Sequence, residues 1–163
     1  MRCTHVVLPP FQELVDAYWR DVARLCAALA GPDDAEDAAQ RAWLNALRAY
    51  PRLRHGRNLR GWLLTVAARA ATDGHRDRAR RPVPVDPVPE AARVTEAAEP
   101  GYDDPLWNRV RALPERQRTA IALRYVLDLP HAEVAAALGC TETTSRRLVS
   151  DALATLRKEL ADD

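Results

Sequence analysis

The chain has 163 residues, with 24 basic and 23 acidic side chains, a net charge of +1 and 47% hydrophobic residues. That apolar content excludes global disorder, and the length allows one large domain or two small ones. No window approaches the roughly 18 apolar residues of a spanning helix, and the first apolar run is too short for a secretion signal. A soluble, cytoplasmic protein with no membrane insertion is therefore expected. Cysteines stand at positions 3, 26 and 140 without Cys-x-x-Cys spacing, which argues against a disulfide framework and a zinc site. Cys26 and Cys140 fall at apolar helical positions and read as small core residues.

Phe11, Leu14, Val15, Tyr18, Val22, Leu25, Cys26 and Leu29 keep helical spacing over five turns, and Gly31-Pro32 stops the run. Asp33 or Asp34 then caps a second helix, with acids in its first turn as the dipole prefers. Its apolar face is Ala35, Ala38, Ala39, Ala42, Trp43, Ala46, Leu47 and Tyr50, and Pro51 ends it. A basic loop fills 52–58. A third helix runs from about Leu59 to Ala79, with Leu59, Trp62, Leu63, Val66, Ala67 and Ala70 inward. Trp62 reads as core, with base stacking as the alternative.

Residues 82–105 hold six of the chain's 12 prolines, spaced every two or three residues at the start, which forbids helix. They form an extended, polyproline-like linker. Beyond it, Pro105 to Ala112 is a short helix, Pro114-Glu115 opens another to about Leu127, and His131 to Leu138 is a third. Gly139-Cys140-Thr141 makes a tight turn before a last helix from Glu142 to about Leu160. Short helix, glycine turn and longer helix form a helix-turn-helix. No alternating strand pattern occurs, and alanine supplies 30 residues, which favours close helix packing. The fold class is all-α. Two small helical domains, 1–81 and 106–163, flank the Pro-rich acidic linker, and the second carries the helix-turn-helix.

Charge is segregated along the chain. Residues 52–81 carry nine Arg against Asp73 and Asp77, whereas 82–105 carry Arg93 against six acids. The planar, multi-donor head of Arg suits phosphate and base edges. Enzymatic chemistry finds no support: His5, His55, His75 and His131 lack metal-ligand spacing, and no phosphate loop or nucleophile elbow is present. No catalytic residue, metal or cofactor is expected.

Four stretches carry a family resemblance over about Phe11 to Leu160. They are Gly31-Pro32-Asp33-Asp34-Ala35-Glu36-Asp37-Ala38-Ala39-Gln40, Asn58-Leu59-Arg60-Gly61-Trp62-Leu63, Leu113-Pro114-Glu115-Arg116-Gln117-Arg118, and Leu129 to Gly139. Together, in this order, they resemble a bacterial RNA polymerase sigma factor of the extracytoplasmic-function type. The resemblance implies binding to core RNA polymerase through Asp34, Glu36, Asp37 and Gln40. It implies contact with the promoter minus-ten element through Arg52, Arg54, His55, Arg57, Asn58, Arg60, Arg69, Arg76, Arg78 and Arg80. At the minus-thirty-five element it implies His131, Thr141, Thr143, Thr144, Arg146, Arg147 and Ser150. An anti-sigma protein is the implied inhibitor, and the acidic linker would thread the polymerase channels. The chain departs from the family where Ala68-Arg69 replaces a common Arg-Asn, where Gly56 stands for a loop Asp, and where Asp151 and Leu153 replace basic residues. An acid beside DNA phosphates is repulsive unless it is paired or reads cytosine. The alternative function is an autonomous helix-turn-helix regulator that binds DNA without polymerase.

Overall fold

The computed structural model describes residues 7–80, 102 and 104–162, with the backbone alone at 75–80. The linker expected over 82–105 thus lies almost wholly outside the described residues, as do Cys3 and His5. Among the described residues the chain is helical, without strands: α1 (Phe11–Ala30), α2 (Ala35–Ala49), a 3-10 turn (Tyr50–Arg52), α3 (Leu59–Arg80), α4 (Pro105–Ala112), α5 (Glu115–Tyr125), α6 (His131–Leu138) and α7 (Glu142–Ala161).

Helices α1, α2 and α3 pack on one another, and α5, α6 and α7 form a second group. The first group buries Val22, Leu25, Cys26 and Leu29 of α1 against Ala42 and Ala46 of α2 and Leu63 of α3. Small alanines let α2 approach closely, while the leucines supply most of the buried apolar area. Phe11, Trp43, Tyr50 and Trp62 close one end, with Phe11 edge-on to Tyr50 at 5.3 Å and Tyr50 tilted against Trp62 at 6.1 Å. Trp62 is half-buried in this cluster, which gives its ring a structural partner.

Glycine is required at two helix ends. Gly31 ends α1 at φ +86°, with the Arg111 guanidinium 3.6 Å from where a Cβ would stand. Gly139 ends α6 in the left-handed region, at φ +62°. There Gly139 and Cys140 return their amides to Ala136 and Ala135, the double bond of a Schellman turn. This turn sets the angle between α6 and α7. At the other end Thr141 caps α7, its Oγ1 accepting from the Thr144 amide at 3.2 Å.

Four expectations shift in detail. Asp34 occupies the N-cap of α2, but its side chain does not cap the backbone. Leu47, expected inward, is 50% exposed. Helix α5 stops at Tyr125, because Asp128 at φ +51° turns the chain. Leu64 and Ala68 are buried on a second face of α3. That face meets the other helix group: α3 lies against α6, and α1 against α4 and α5. One apolar core continues through both groups, from Leu25 and Leu64 to Leu123, Val134 and Ala137.

Cys26 is fully buried and Cys140 half-buried. Burial pushes the Cys26 thiol up to about 12. Below about pH 9 the thiol is protonated in folded and unfolded chains alike. Between about pH 9 and 12 only the unfolded chain releases the proton, so stability falls as pH rises, by up to about 1.4 kcal/mol per unit. Urea unfolding at about pH 8 and about pH 10.5 should show a larger loss for the parent chain than for Cys26→Ala. An equal loss in both would remove Cys26 as the cause.

Candidate functional site

Three exposed surfaces gather the residues expected to bind partners. The first is the outer face of α2. Glu36, Asp37 and Gln40 are exposed there, and Asp34 is half-exposed at its start. Asp37 pairs with Arg41 at 2.7 Å, and Arg41 also donates to the Ala70 carbonyl of α3 at 3.2 Å. Arg41 therefore fixes both the Asp37 carboxylate and the seat of α2 on α3. Gln40 approaches Glu36 at 3.5 Å. Leu44 and Leu47 continue the same face one and two turns on, 53% and 50% exposed. The sequence reading missed Leu44 and placed Leu47 inward. The signal was present: 37, 40, 44 and 47 keep i, i+3, i+4 spacing on the side opposite the alanines. Two leucines left in water beside an acidic turn make an apolar anchor with a charged rim, the composition of a protein-docking patch.

The second surface is the basic loop and the start of α3. Arg52, Arg54, His55 and Arg57 are exposed, with no acidic residue in the loop. Asn58 has a local duty as well. Its backbone is left-handed at φ +53°, its Oδ1 accepts from the Gly61 amide at 3.0 Å, and its carbonyl accepts the first helical bond, from Trp62. Asn58 is thus the N-cap of α3 and aims the loop. Asn58→Ala should cost about 1–2 kcal/mol, from the lost cap and the left-handed backbone. Asn58→Gly should cost only a few tenths, and urea midpoints of the two would check this. Arg60 turns away from the loop: its guanidinium lies 3.0 Å from Asp21 and 3.4 Å from Glu133 of α6. Arg69 is exposed at the rim of a cleft of about 190 Å³ between α3 and α5–α6, with Glu115 and Arg116 opposite. The side chains of Arg76, Arg78 and Arg80 lie outside the described residues.

The third surface is α7 with its turn. Arg146 and Arg147 are exposed, at 65% and 83%. Arg146 pairs with Glu142 and Arg147 approaches Asp151 at 3.7 Å. The unexpected acid at 151 is thus matched to a neighbouring base, and exposed i, i+4 pairs of this kind are weak enough to exchange for phosphate. Thr143 and Ser150 are exposed. Thr141 and Thr144 are exposed too, but bonded to each other at 2.9 Å in the cap. His131 faces inward in part, its Nδ1 3.1 Å from the Oγ of fully buried Ser145, which ties α6 to α7. Among the described residues no group of three His, Cys, Asp or Glu side chains is placed to hold a metal ion, and no helix is long and apolar enough to cross a membrane.

These features define an all-helical protein with a basic loop before α3 and a helix-turn-helix in its second half. Residues 14–81 match the family described as Sigma-70 region 2, and residues 103–156 match Sigma-70, region 4. The chain is 31% identical over 161 residues to the ECF RNA polymerase sigma factor SigD of Mycobacterium tuberculosis, covering 91% of this chain and 76% of that one. It is 31% identical over 155 residues to the RNA polymerase sigma-E factor of Streptomyces coelicolor, covering 92% and 85%. Two solved structures share the fold. The sigma factor RpoE of Bartonella quintana, in complex with the anti-sigma factor NepR, superposes with TM-score 0.64 at 22% identity, covering 94% of this chain and 98% of that one. CnrH, in complex with the cytosolic domain of CnrY, superposes with TM-score 0.65 at 19% identity, covering 94% and 88%. The chain belongs to the RNA polymerase sigma factors of the extracytoplasmic-function type.

Proposed function

We propose that the chain works as a dissociable initiation subunit in the cytoplasm, with no catalytic step of its own, in which separate surfaces meet polymerase and promoter. Residues 1–81 would dock on core RNA polymerase and hold the minus-ten element, 106–163 would read the minus-thirty-five element, and 82–105 would join them. The outer face of α2 carries the reading: an acidic first turn followed by Leu44 and Leu47, which no described residue of the chain covers. Carboxylates steer association and the leucines supply the buried anchor. The exposed Arg of the 52–57 loop suits the backbone of unstacked single strands, which bind to positive surfaces. Arg146 and Arg147, in the first turns of α7, suit a recognition helix in the major groove.

An anti-sigma protein is the partner proposed for regulation, since structures of this fold include RpoE held by NepR and CnrH held by CnrY. Run-off transcription with purified core polymerase on fragments of the source genome tests the function. Start sites that require this protein are the expected result. Loss of those starts on Arg146→Ala/Arg147→Ala, with polymerase binding intact, would assign α7 to the upstream element. Failure to bind core polymerase at all would overturn the reading and favour an autonomous DNA-binding protein.

A further inference from the structure

Leu8-Pro9-Pro10 precedes α1, and two adjacent prolines leave this stretch little conformational choice. Proline fixes its own φ near about −65° and turns the residue before it away from helix. Pro10 is accordingly extended, at φ −53° and ψ 139°, and its carbonyl takes the Glu13 amide at 3.0 Å to open α1. The segment before α1 is thus held at a set angle, and it lies across the root and the tip of the basic loop. At the root, Tyr50 of the 3-10 turn donates its hydroxyl to the Pro9 carbonyl at 2.5 Å. The Tyr50 ring is itself packed against Phe11 and Trp62. At the tip, Cδ2 of half-buried Leu8 stands 3.4 Å from where a Cβ on Gly56 would lie, so Leu8 rests on the bare Gly56 backbone.

The loop needs such a support. Its ends are tied by the Leu53 amide, which donates to the Tyr50 carbonyl, and by the Asn58 cap. Between these ties, residues 54–57 make no backbone–backbone hydrogen bond among the described residues. They carry Arg54, His55 and Arg57, all exposed. Backbone left unfixed must be ordered when a ligand binds, and that cost is subtracted from affinity. Glycine has the most freedom to lose, and Leu8 meets the loop at its glycine.

We propose that residues 7–10 form a strap that positions the basic loop for single-stranded nucleic acid: Leu8 is a positioning residue seated on Gly56, and the Tyr50–Pro9 hydrogen bond holds the strap down. The brace stands on these contacts, and its use rests on the nucleic-acid reading of the loop given above. Leu8 acts through the backbone that carries the three cations and contributes no charge or donor of its own. The prolines make the strap inexpensive to hold in place, because the unfolded segment is already restricted to extended conformations.

The full chain, labelled with 15N and studied free and then with core polymerase, tests the strap. In the parent the Gly56 amide should have the order parameter of rigid backbone, about 0.85, and in Leu8→Ala/Tyr50→Phe it should fall below about 0.6. Helix content should not change, since Tyr50→Phe keeps the ring against Phe11 and Trp62. Affinity for core polymerase should not change either, because the outer face of α2 is untouched. Binding of a mixed-sequence single-stranded DNA oligonucleotide, measured as the gain over core polymerase alone, should be about fivefold weaker in the double variant. The slope of log affinity against log salt should stay the same, because every loop cation is still present. Arg54→Ala/Arg57→Ala, which leaves the strap intact, should reduce that slope while Gly56 stays ordered. Leu8→Met, of similar volume, should match the parent in both order and affinity, whereas Leu8→Ala should not. Unchanged order at Gly56 in the double variant would overturn the strap. A loop that loosens without losing affinity for the oligonucleotide would overturn its positioning role. If the loop loosens as expected and even the parent adds no oligonucleotide binding to polymerase, the brace stands and the nucleic-acid reading of the loop fails.

Discussion

Leu44→Glu/Leu47→Glu should weaken binding to core polymerase by roughly 100-fold while leaving the chain as stable as before. Both leucines are about half exposed, so folding has used only part of their apolar surface. Covering the remainder at a partner contributes about 1–1.5 kcal/mol for each, and 2–3 kcal/mol together is a factor of about 30 to 150 in affinity. The penalty rises further if a glutamate is buried without a base opposite. Stability should move by less than about 0.5 kcal/mol, because neither side chain fills the core. Equilibrium binding to core polymerase and urea unfolding, run on the same preparations, separate the two effects. Unchanged affinity would move the docking surface off this face of α2.

Leu63→Ala should be the most damaging single truncation in the first half. Leu63 is fully buried where α1, α2 and α3 meet. Loss of its methyl groups and the cavity left behind cost about 3–5 kcal/mol, against a total stability of about 5–15 kcal/mol for a typical domain. At about 2–4 °C per kcal/mol for a chain of this size, Tm should drop by roughly 10 °C. Leu160→Ala, which removes a side chain already 53% exposed at the end of α7, should change it by at most a degree or two. The alanines that line α2 cannot compensate for Leu63, because they have no longer rotamer with which to fill the gap. A small shift for Leu63→Ala would mean that the three helices re-pack around the void.

The elements most legible in the sequence were those bounded by proline, whose φ is fixed, or by glycine, which takes the left-handed turn without strain. Asp104-Pro105 and Leu113-Pro114 bracket α4, and Pro130 and Gly139 bracket α6; both helices run between those marks. The end of α5 was less legible, because Val126 and Leu127 stay apolar and buried after the helix has stopped. Periodicity identified the face of α3 that meets α1 and α2. It could not show that Leu64 and Ala68 meet something too, because their partners lie some 40 or more residues further along the chain. The same blindness affected the site. Arg60 looked like one more cation of the basic loop, and only the fold brings Glu133 to it. Asn58 looked like a donor for DNA, and the structure adds a second duty, its Oδ1 accepting from Gly61 in the first turn of α3. The outer stripe of α2 was readable in principle. It was masked because Leu47 fits an alanine-rich inner face as well as it fits the outer one.

The ends of two helices have a consequence for how the seam between the two helix groups is hydrated. All four terminal carbonyls of α6 find donors, at Cys140, Gly139, Thr65 and Arg116, and the third of these comes from the other half. Ala28 near the end of α1 likewise takes a donor from Arg111. Helix-end carbonyls are the backbone groups that water serves most readily. When the halves part, each cross-seam bond is exchanged for one to solvent at little net enthalpy, and no buried group is left dry. The apolar part of the seam, with Leu64 and Ala68 on one side and Leu123 and Ala137 on the other, is a small share of the whole core. Separation should therefore carry only a small fraction of the heat-capacity increment of unfolding. In calorimetric terms, parting the joint should resemble separating two proteins across a partly polar contact, with a heat-capacity change small beside that of unfolding.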